Sequence, residues 1–342
     1  MLRSASAWIE ILKLGNVSQV MKDQTSFSRG NILRVLATEG WLKYLKEPHS
    51  EDEIANHFNY SDKKYLHEII QAFITDGTLK EVEDNKYVFK QPVNTDMATP
   101  SVFNEQIKDI MWNLADGIPS RLRNEDYEFT GGINLFNWDS ALSLKIYKQL
   151  RNSAFAYVKK FHNHSSFLDI GAGTGYGTTS IWLNFQEKKD TNNIKVIGVE
   201  PEAYFIDIAK NEFERMAVKI SGKSLGEIQK KKDSYPEFMT GSITNIPYDN
   251  EFFDYVYASQ VLHWTNPKRA IEEMIRVTKP GGIIFGSQIF VGKTHLFTDI
   301  HVKVMKGANG IFTKNDMKRW AKEAGAKKVK FSTPISVFEI WK

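Results

Sequence analysis

The stretch that most constrains this chain is Phe167–Gly177, FLDIGAGTGYG, with glycines at alternate positions 171, 173, 175 and 177 behind an apolar run that holds one acid, Asp169. An apolar strand runs into a helix through this loop, and the missing side chains mean that something approaches the backbone closely. Strand and helix keep alternating from there to the C-terminus. NIKVIGVE, FDYVYAS and IIFGSQIF read as strands, and PEAYFIDIAKNEFERMA as a helix. NPKRAIEEMIRVTKPGG reads as a helix capped by Asn266, with Pro267 at N1 and Lys279-Pro280-Gly281 as its stop. FTKNDMKRWAKEAG is a helix with Thr313 and Asp316 as a capping pair, and AKKVKFSTPI and SVFEIWK close the chain as strands. The pattern predicts an α/β class: a doubly wound parallel sheet from about residue 160, ending in a C-terminal antiparallel strand pair. Residues 219–237, polar and basic, read as an insertion.

The first hundred residues read differently. Ser50 to Glu53, SEDE, is a capping box, and Ser61 is placed to cap a second helix with Leu66, Ile69, Ile70, Phe73 and Ile74 on one face and Gly77 at its end. TLKEVEDNKYVFK follows as two short strands around Asp84-Asn85. Helix–helix–hairpin is a winged-helix pattern. The expected division is a smaller, mostly helical winged-helix-like domain over 1–100, a helical linker or lid over 101–155, and the α/β domain over 156–342. The linker carries Phe103, Trp112, Tyr127, Phe129, Phe136 and Trp138, which suit an interdomain core or an apolar substrate pocket, and Gly131-Gly132, a hinge or a simple turn.

Composition narrows the chemistry. The chain has no cysteine, which excludes disulfides and thiolate metal sites, and its eight histidines show no HExxH spacing, so no metal is expected. No run approaches 18 apolar residues, and the N-terminal MLRSASAWIEILKLG is too short and too broken for a signal peptide or a span. The expectation is a soluble, cytoplasmic protein. A net charge of +4 permits anionic partners without arguing for nucleic acid.

Two ligands compete for the glycine loop. A dinucleotide pyrophosphate needs GxGxxG, but the third glycine would fall on Tyr176 or Thr178. A carboxylate at Asp169 repels phosphate and suits an ammonium or a sulfonium. Glu200 ends the next strand, 31 positions later, where a carboxylate can accept from both hydroxyls of a ribose. A cationic group at one strand tip and a ribose at the next describe S-adenosylmethionine.

The arrangement resembles the class I S-adenosylmethionine-dependent methyltransferases, a Rossmann-like family. LDIGAGTGYGT looks like their first motif and GVEPEAYFIDIAK like their second, while GSITNIPYDNEFFDYVYASQVLHWTNPKRAIEEMIRVTKPGG is similar to the ubiquinone/menaquinone-type subgroup. The resemblance implies that Gly171, Gly173 and Gly175 let backbone approach the methionine part of the cofactor, that Asp169 orients the loop and faces the amino group, and that Glu200 holds the ribose. It places Ser242 where the family often has an acid for the adenine amine, Ile243 on the adenine face and Gln260 by the methionine end. His263 in VLHWTNP stands where small-molecule O-methyltransferases with a winged-helix-like domain carry their general base. Here it runs into Trp264 with no intervening acid, which favours a packing and hydrogen-bonding residue behind the cofactor over a base. His295 and His301 are weaker candidates for a substrate mouth, and His162 and His164 look like loop residues.

Methyl transfer displaces a sulfonium in line, so the enzyme mainly aligns nucleophile, methyl and sulfur, worth at best ~7–11 kcal/mol. The expected partner is a small-molecule acceptor methylated at O, C or N. Alternatives are a quinone or lipid at a membrane surface, touched peripherally, and a DNA-binding regulator that senses the cofactor. The helix from Ser61 would read the groove, but acids interleave with its bases, which argues against nucleic acid. The resemblance to small-molecule O-methyltransferases implies a homodimer interface and pocket closure for this domain instead.

Overall fold

The structure, a computed structural model, describes residues 17–127, 143–155, 164–186, 194–292, 295–305, 307–332 and 337–342. In chain order the helices are α1 Val17–Glu39, α2 Trp41–Tyr44, α3 Glu51–Phe58, α4 Lys63–Asp76, α5 Glu105–Asp116, α6 Ile118–Leu122 and α7 Lys145–Phe155. They continue with α8 Tyr176–Gln186, α9 Ala203–Ser221, α10 Leu225–Gln229, α11 Pro267–Val277, α12 Leu296–Val302 and α13 Lys314–Glu323. The strands are β1 His49–Ser50, β2 Leu79–Val82, β3 Lys86–Phe89, β4 Ser166–Ile170, β5 Lys195–Glu200, β6 Glu237–Thr240, β7 Phe253–Ser259, β8 Thr278–Ser287, β9 Lys328–Ser332 and β10 Val337–Trp341.

The described residues fall into two compact units, one drawn from 16–137 and 291–311, the other from 138–290 and 312–342. This differs from the division into 1–100, 101–155 and 156–342. The segment with α12 joins the first unit because Phe297, Ile300 and Val304 enter the same apolar core as Ile69, Ile70 and Phe73 of α4.

In that first unit β1, β3 and β2 form an antiparallel sheet beside the helices. The Ser50–Glu53 capping box is formed, with Ser50 Oγ accepting from Glu53 N at 3.2 Å and Glu53 accepting from Ser50 N at 2.7 Å. The cap of α4 is Asp62 rather than Ser61. Asp62 Oδ1 accepts from Tyr65 N at 2.9 Å, while Ser61 Oγ donates to the Arg123 carbonyl at 2.7 Å. A carboxylate satisfies the free N–H and also favours the positive end of the helix dipole. The turn between β2 and β3 has Asp84 and Asn85 both left-handed, at φ 63° and 54°, the conformation that tight hairpins need.

The second unit is built on a seven-stranded sheet ordered β6-β5-β4-β7-β8-β10-β9. All neighbours from β6 to β8 run parallel, and β10 is antiparallel to both β8 and β9. Alternation along the strands makes two apolar layers. Phe167, Tyr255 and Tyr257 pack with Ala154, Ile181, Trp182 and Phe213 from α7, α8 and α9. Leu168, Ile170, Val256 and Ala258 pack on the other face with Ile271 and Met274 of α11 and Met317 of α13. The chain reverses its strand order between β4 and β7, and this is where open α/β sheets bind ligands.

Residues 219–237 are not a simple insertion. They hold the end of α9, the short α10 with a Ser224–Glu227 capping box, and the approach to β6. β6 is a four-residue edge strand of which only Phe238 is buried, so it lacks the apolar run that marks the inner strands.

Candidate active site

The glycine loop leaves β4 and is knitted to β5. Gly171 N and Ala172 N both donate to the Val199 carbonyl, at 2.8 and 3.0 Å, and Gly175 N donates to the Ala172 carbonyl at 2.9 Å. Gly173 N donates to Glu200 Oε2 at 3.0 Å. Four loop amides are thus spent inside the protein, and they do not point outward as a phosphate cradle would require. The loop adopts φ of 73°, 52° and 95° at Gly171, Gly173 and Gly175, the left-handed region that favours glycine. A Cβ on Gly171 would lie 2.4 Å from Val261 Cγ2, and one on Gly175 would lie 3.1 Å from Ala209 Cβ. At those two positions the missing side chain admits neighbouring side chains of the protein itself.

Asp169 is buried beneath the start of α8. Its Oδ2 accepts from Thr178 Oγ1 at 2.6 Å, and a Cβ on Gly177 would stand 2.6 Å from the same oxygen. A Cβ on Gly198 of β5 would meet Thr178 Oγ1 at 2.7 Å. Gly177 and Gly198 thereby make room for an acid–hydroxyl pair that fixes the loop to the helix. Burial pushes the Asp169 carboxyl up to about 7, against the Thr178 hydrogen bond, with the nearby Glu200 charge adding to the rise and Arg151 opposing it. Near neutral pH this group is poised, and an ammonium placed beside it would draw it into the ionised form. Arg151, on α7, is itself buried and lies 5.5 Å from the centre of the Tyr176 ring. Sequence reasoning missed it, since one arginine on an amphipathic helix gives no sign of pointing inward.

Glu200 stands at the tip of β5, largely buried, one strand over from Asp169. Burial raises its carboxyl, and the backbone N–H groups of Gly173 and Glu202 oppose that rise by stabilising the ionised form. Such a carboxylate is oriented before any ligand arrives and offers acceptors only, which is what a vicinal diol requires.

The loop after β6 carries the expected adenine-side residues. Ser242 Oγ pairs with Thr244 Oγ1 at 2.9 Å and accepts from Thr244 N at 3.2 Å, so its hydroxyl is engaged in a local turn. Ile243 is buried in the core with Leu168 and Val199. An ion pair on α11, between the buried Glu273 and the half-buried Arg276, clamps this loop: Glu273 Oε2 accepts from Ile246 N at 2.9 Å, and Arg276 donates to the Ile246 and Tyr248 carbonyls at 2.9 and 2.8 Å. The two side chains bond each other at 2.8 and 2.9 Å.

Gln260 follows β7 with φ 55°, an uncommon conformation for a residue with a Cβ, which costs about 1–3 kcal/mol. It is held there by Gln260 N donating to the Ser287 carbonyl at 2.8 Å. His263 is buried, and burial pushes its ring down to about 4; its Nδ1 lies 3.0 Å from Gln288 Nε2. The other histidines lie elsewhere. His301 is buried in the first unit with its Nδ1 donating to the Phe297 carbonyl at 2.8 Å, and burial lowers His295. His164 sits in a left-handed turn, and His162 lies outside the described residues.

Of the linker aromatics, Phe103 packs edge-on to Phe27, Trp112 carries the Arg34 guanidinium 4.1 Å above it, and Tyr127 donates to the Asn113 carbonyl at 2.9 Å. All three contacts lie within the first unit. Phe129, Gly131, Gly132, Phe136 and Trp138 lie outside the described residues. Among the described residues no cluster of three histidines or acids could hold a metal, and no helix is long and apolar enough to cross a membrane.

The amides of Gly171, Ala172, Gly173 and Gly175 turn inward, and acids stand near the tips of two adjacent strands. Residues 168–286 match the methyltransferase domain family. The strand order above fits the class I, S-adenosylmethionine-dependent type of that domain. The chain is 34% identical over 129 residues to an uncharacterized methyltransferase of Schizosaccharomyces pombe, covering 37% of this chain and 40% of that protein. It is 26% identical over 137 residues to the rice (Oryza sativa subsp. japonica) 2-methyl-6-phytyl-1,4-hydroquinone methyltransferase 1, covering 40% and 34%. The chain spans less than half the length of these curated relatives. The crystal structure of the CurJ carbon methyltransferase superposes on 99% of this chain and 96% of its own, with a TM-score of 0.71 at 16% identity, a likeness of fold.

Proposed function

We propose that the protein transfers the methyl group of S-adenosylmethionine to a small, apolar or aromatic acceptor. The observation that carries this reading is the pairing of Glu200 with the Gly173 amide, which spends the loop on a carboxylate and leaves that carboxylate at the ribose position. When bound, the cofactor supplies a methyl group already activated on sulfur. Glu200 accepts from the ribose hydroxyls, Asp169 balances the ammonium from below the loop, and Ser242 and Ile243 line the adenine side. Gln260, held at the tip of β7, stands by the methionine end. These residues fix sulfur and methyl in one line, and alignment supplies the larger part of the rate.

The hydroquinone named for the rice relative and the carbon chemistry named for the CurJ enzyme support an acceptor that is an acidic oxygen or carbon compound. A screen with methyl-labelled cofactor against phenols, hydroquinones, 1,3-dicarbonyls, amines and lipids tests this. Label is expected in one of the first three classes. Lipid-only transfer would favour the membrane reading, and cofactor binding without any transfer would favour a sensor.

The helical unit is proposed to form a homodimer interface rather than to read DNA. On α4, Lys63 pairs with Asp52 at 2.7 Å and His67 with Glu51 at 2.8 Å, so acids from α3 screen the bases a phosphate backbone would need. Sedimentation velocity should give a dimer; a monomer with salt-dependent affinity for duplex DNA would remove this role.

A further inference from the structure

The next inference rests on the methyltransferase reading and narrows its acceptor. Gln288 lies one residue past β8 and is wholly buried. Its Nε2 donates to the Ile289 carbonyl at 2.9 Å and lies 3.0 Å from His263 Nδ1. The amide cannot be turned over, because Gln288 Oε1 would then face the Ile289 carbonyl, acceptor against acceptor. Nδ1 therefore accepts, and the ring proton sits on Nε2.

The pair is held by a net across the tips of β7 and β8. Ile289 N donates to Gln260 Oε1 at 3.3 Å, Gln260 Nε2 donates to Ser287 Oγ at 3.2 Å, and the Ser287 and Ser259 hydroxyls bond at 2.7 Å. Gln288 Oε1 is buried without a partner among the described residues, a cost the structure bears to keep the Nε2 face on the histidine. Among the described residues, burial and this amide alone act on His263; no carboxylate or cation couples to it, and Trp264 is its ring neighbour at 4.6 Å. An amide, unlike a carboxylate, cannot offset an imidazolium charge.

We propose that Gln288 fixes His263 as a neutral Nε2–H hydrogen-bond donor, so that the methyl acceptor reaches the site already ionised, as a stabilised enolate or a phenolate. The acceptor loses its proton to solvent beforehand. Its electron pair forms the bond to the methyl carbon while the carbon–sulfur bond breaks, and that bond's pair stays on sulfur. Anion and sulfonium become two neutral products, and His263 takes up no proton. With Nδ1 taken by Gln288 and the proton on Nε2, the ring has no free lone pair to act as a base. Gln288 is a positioning residue that acts through the imidazole.

Histidine-selective ¹⁵N NMR on the full chain tests the tautomer. Wild type is expected to show His263 as Nε2–H, with no titration between about pH 5.5 and 8. Gln288→Glu is expected to move the proton to Nδ1 and bring the titration into that window. A wild-type ring that is Nδ1–H, or that titrates near about 6.5, overturns the proposal, and this holds even if Gln288→Glu fails to fold. The second arm measures kcat/KM against pH for several phenols and 1,3-dicarbonyls. The rise is expected to follow each acceptor's own pKa, and Gln288→Glu is expected to gain about 10–100-fold on weakly acidic acceptors below their pKa. One inflection shared by all acceptors would overturn it. Absence of cofactor binding by calorimetry would instead defeat the methyltransferase reading and leave the NMR result standing.

Discussion

Replacing Glu200 with alanine is expected to weaken S-adenosylmethionine binding by about 10²–10³-fold. Two hydrogen bonds from ribose hydroxyls to a carboxylate are worth about 1.5–3 kcal/mol each, and part of that is recovered by water in the enlarged site. The Gly173 amide loses its acceptor as well, so the loop loosens at the point where it must meet the cofactor. Glu200→Gln keeps an acceptor for Gly173 but not the charge, and should fall between the two, at about tenfold. Calorimetric titration reads both, with circular dichroism to verify folding. Affinity unchanged in a folded Glu200→Ala protein would remove the ribose assignment.

The second large effect is on stability. Glu273→Ala is expected to cost about 2–4 kcal/mol in urea unfolding. Breaking a buried ion pair typically costs 3–5 kcal/mol. The lower range follows because Arg276 is 31% exposed and regains some hydration, whereas Glu273 is 3% exposed. The loss should also reach the cofactor. Without the carboxylate, Ile246 N is unpaired, and the segment carrying Ser242 and Ile243 is held to α11 only through arginine side chains that have lost their acid. Weaker cofactor binding should therefore accompany the instability. A cost below about 1 kcal/mol would mean that the clamp does little to hold the loop.

Much of the α/β unit was legible in the sequence because its inner strands, buried on both faces, are continuous apolar runs such as VIGVE and FDYVYAS. The helix signals at Asn266-Pro267 and at Thr313–Asp316 were local and were read correctly. What escaped reading depends on partners distant in sequence. β6 is an edge strand with one buried side chain, so its pattern differs little from that of a polar loop. Both Ser61 and Asp62 can cap a helix, and the choice turns on the Arg123 carbonyl, which takes the serine hydroxyl. The segment 291–311 reads as a continuation of the α/β pattern, yet it supplies Phe297 and Ile300 to the core of the helical unit.

The same division holds at the site. Asp169 and Glu200 were visible because acids closing apolar strands are rare. Four glycines in one loop suggested ligand approach, but the structure gives Gly171 and Gly175 to internal packing and Gly177 to the Asp169 carboxylate. The direction of the loop amides, which turn inward to the Val199 and Ala172 carbonyls and to Glu200, is a property of backbone geometry that no residue type announces. His263 was legible as a candidate. Gln288, which sets its tautomer, lies 25 positions away and becomes its neighbour only when β7 pairs with β8.

The most direct measurement is a crystal structure of the protein soaked with S-adenosylmethionine and, separately, with a nicotinamide dinucleotide. The nucleoside is expected over the tips of β4 and β5, with both ribose hydroxyls on Glu200 and the ammonium toward Asp169, and the dinucleotide soak is expected to leave the cleft empty. A dinucleotide bound with its pyrophosphate on the amides of Gly171 to Gly175, and no density for the nucleoside, would contradict the assignment.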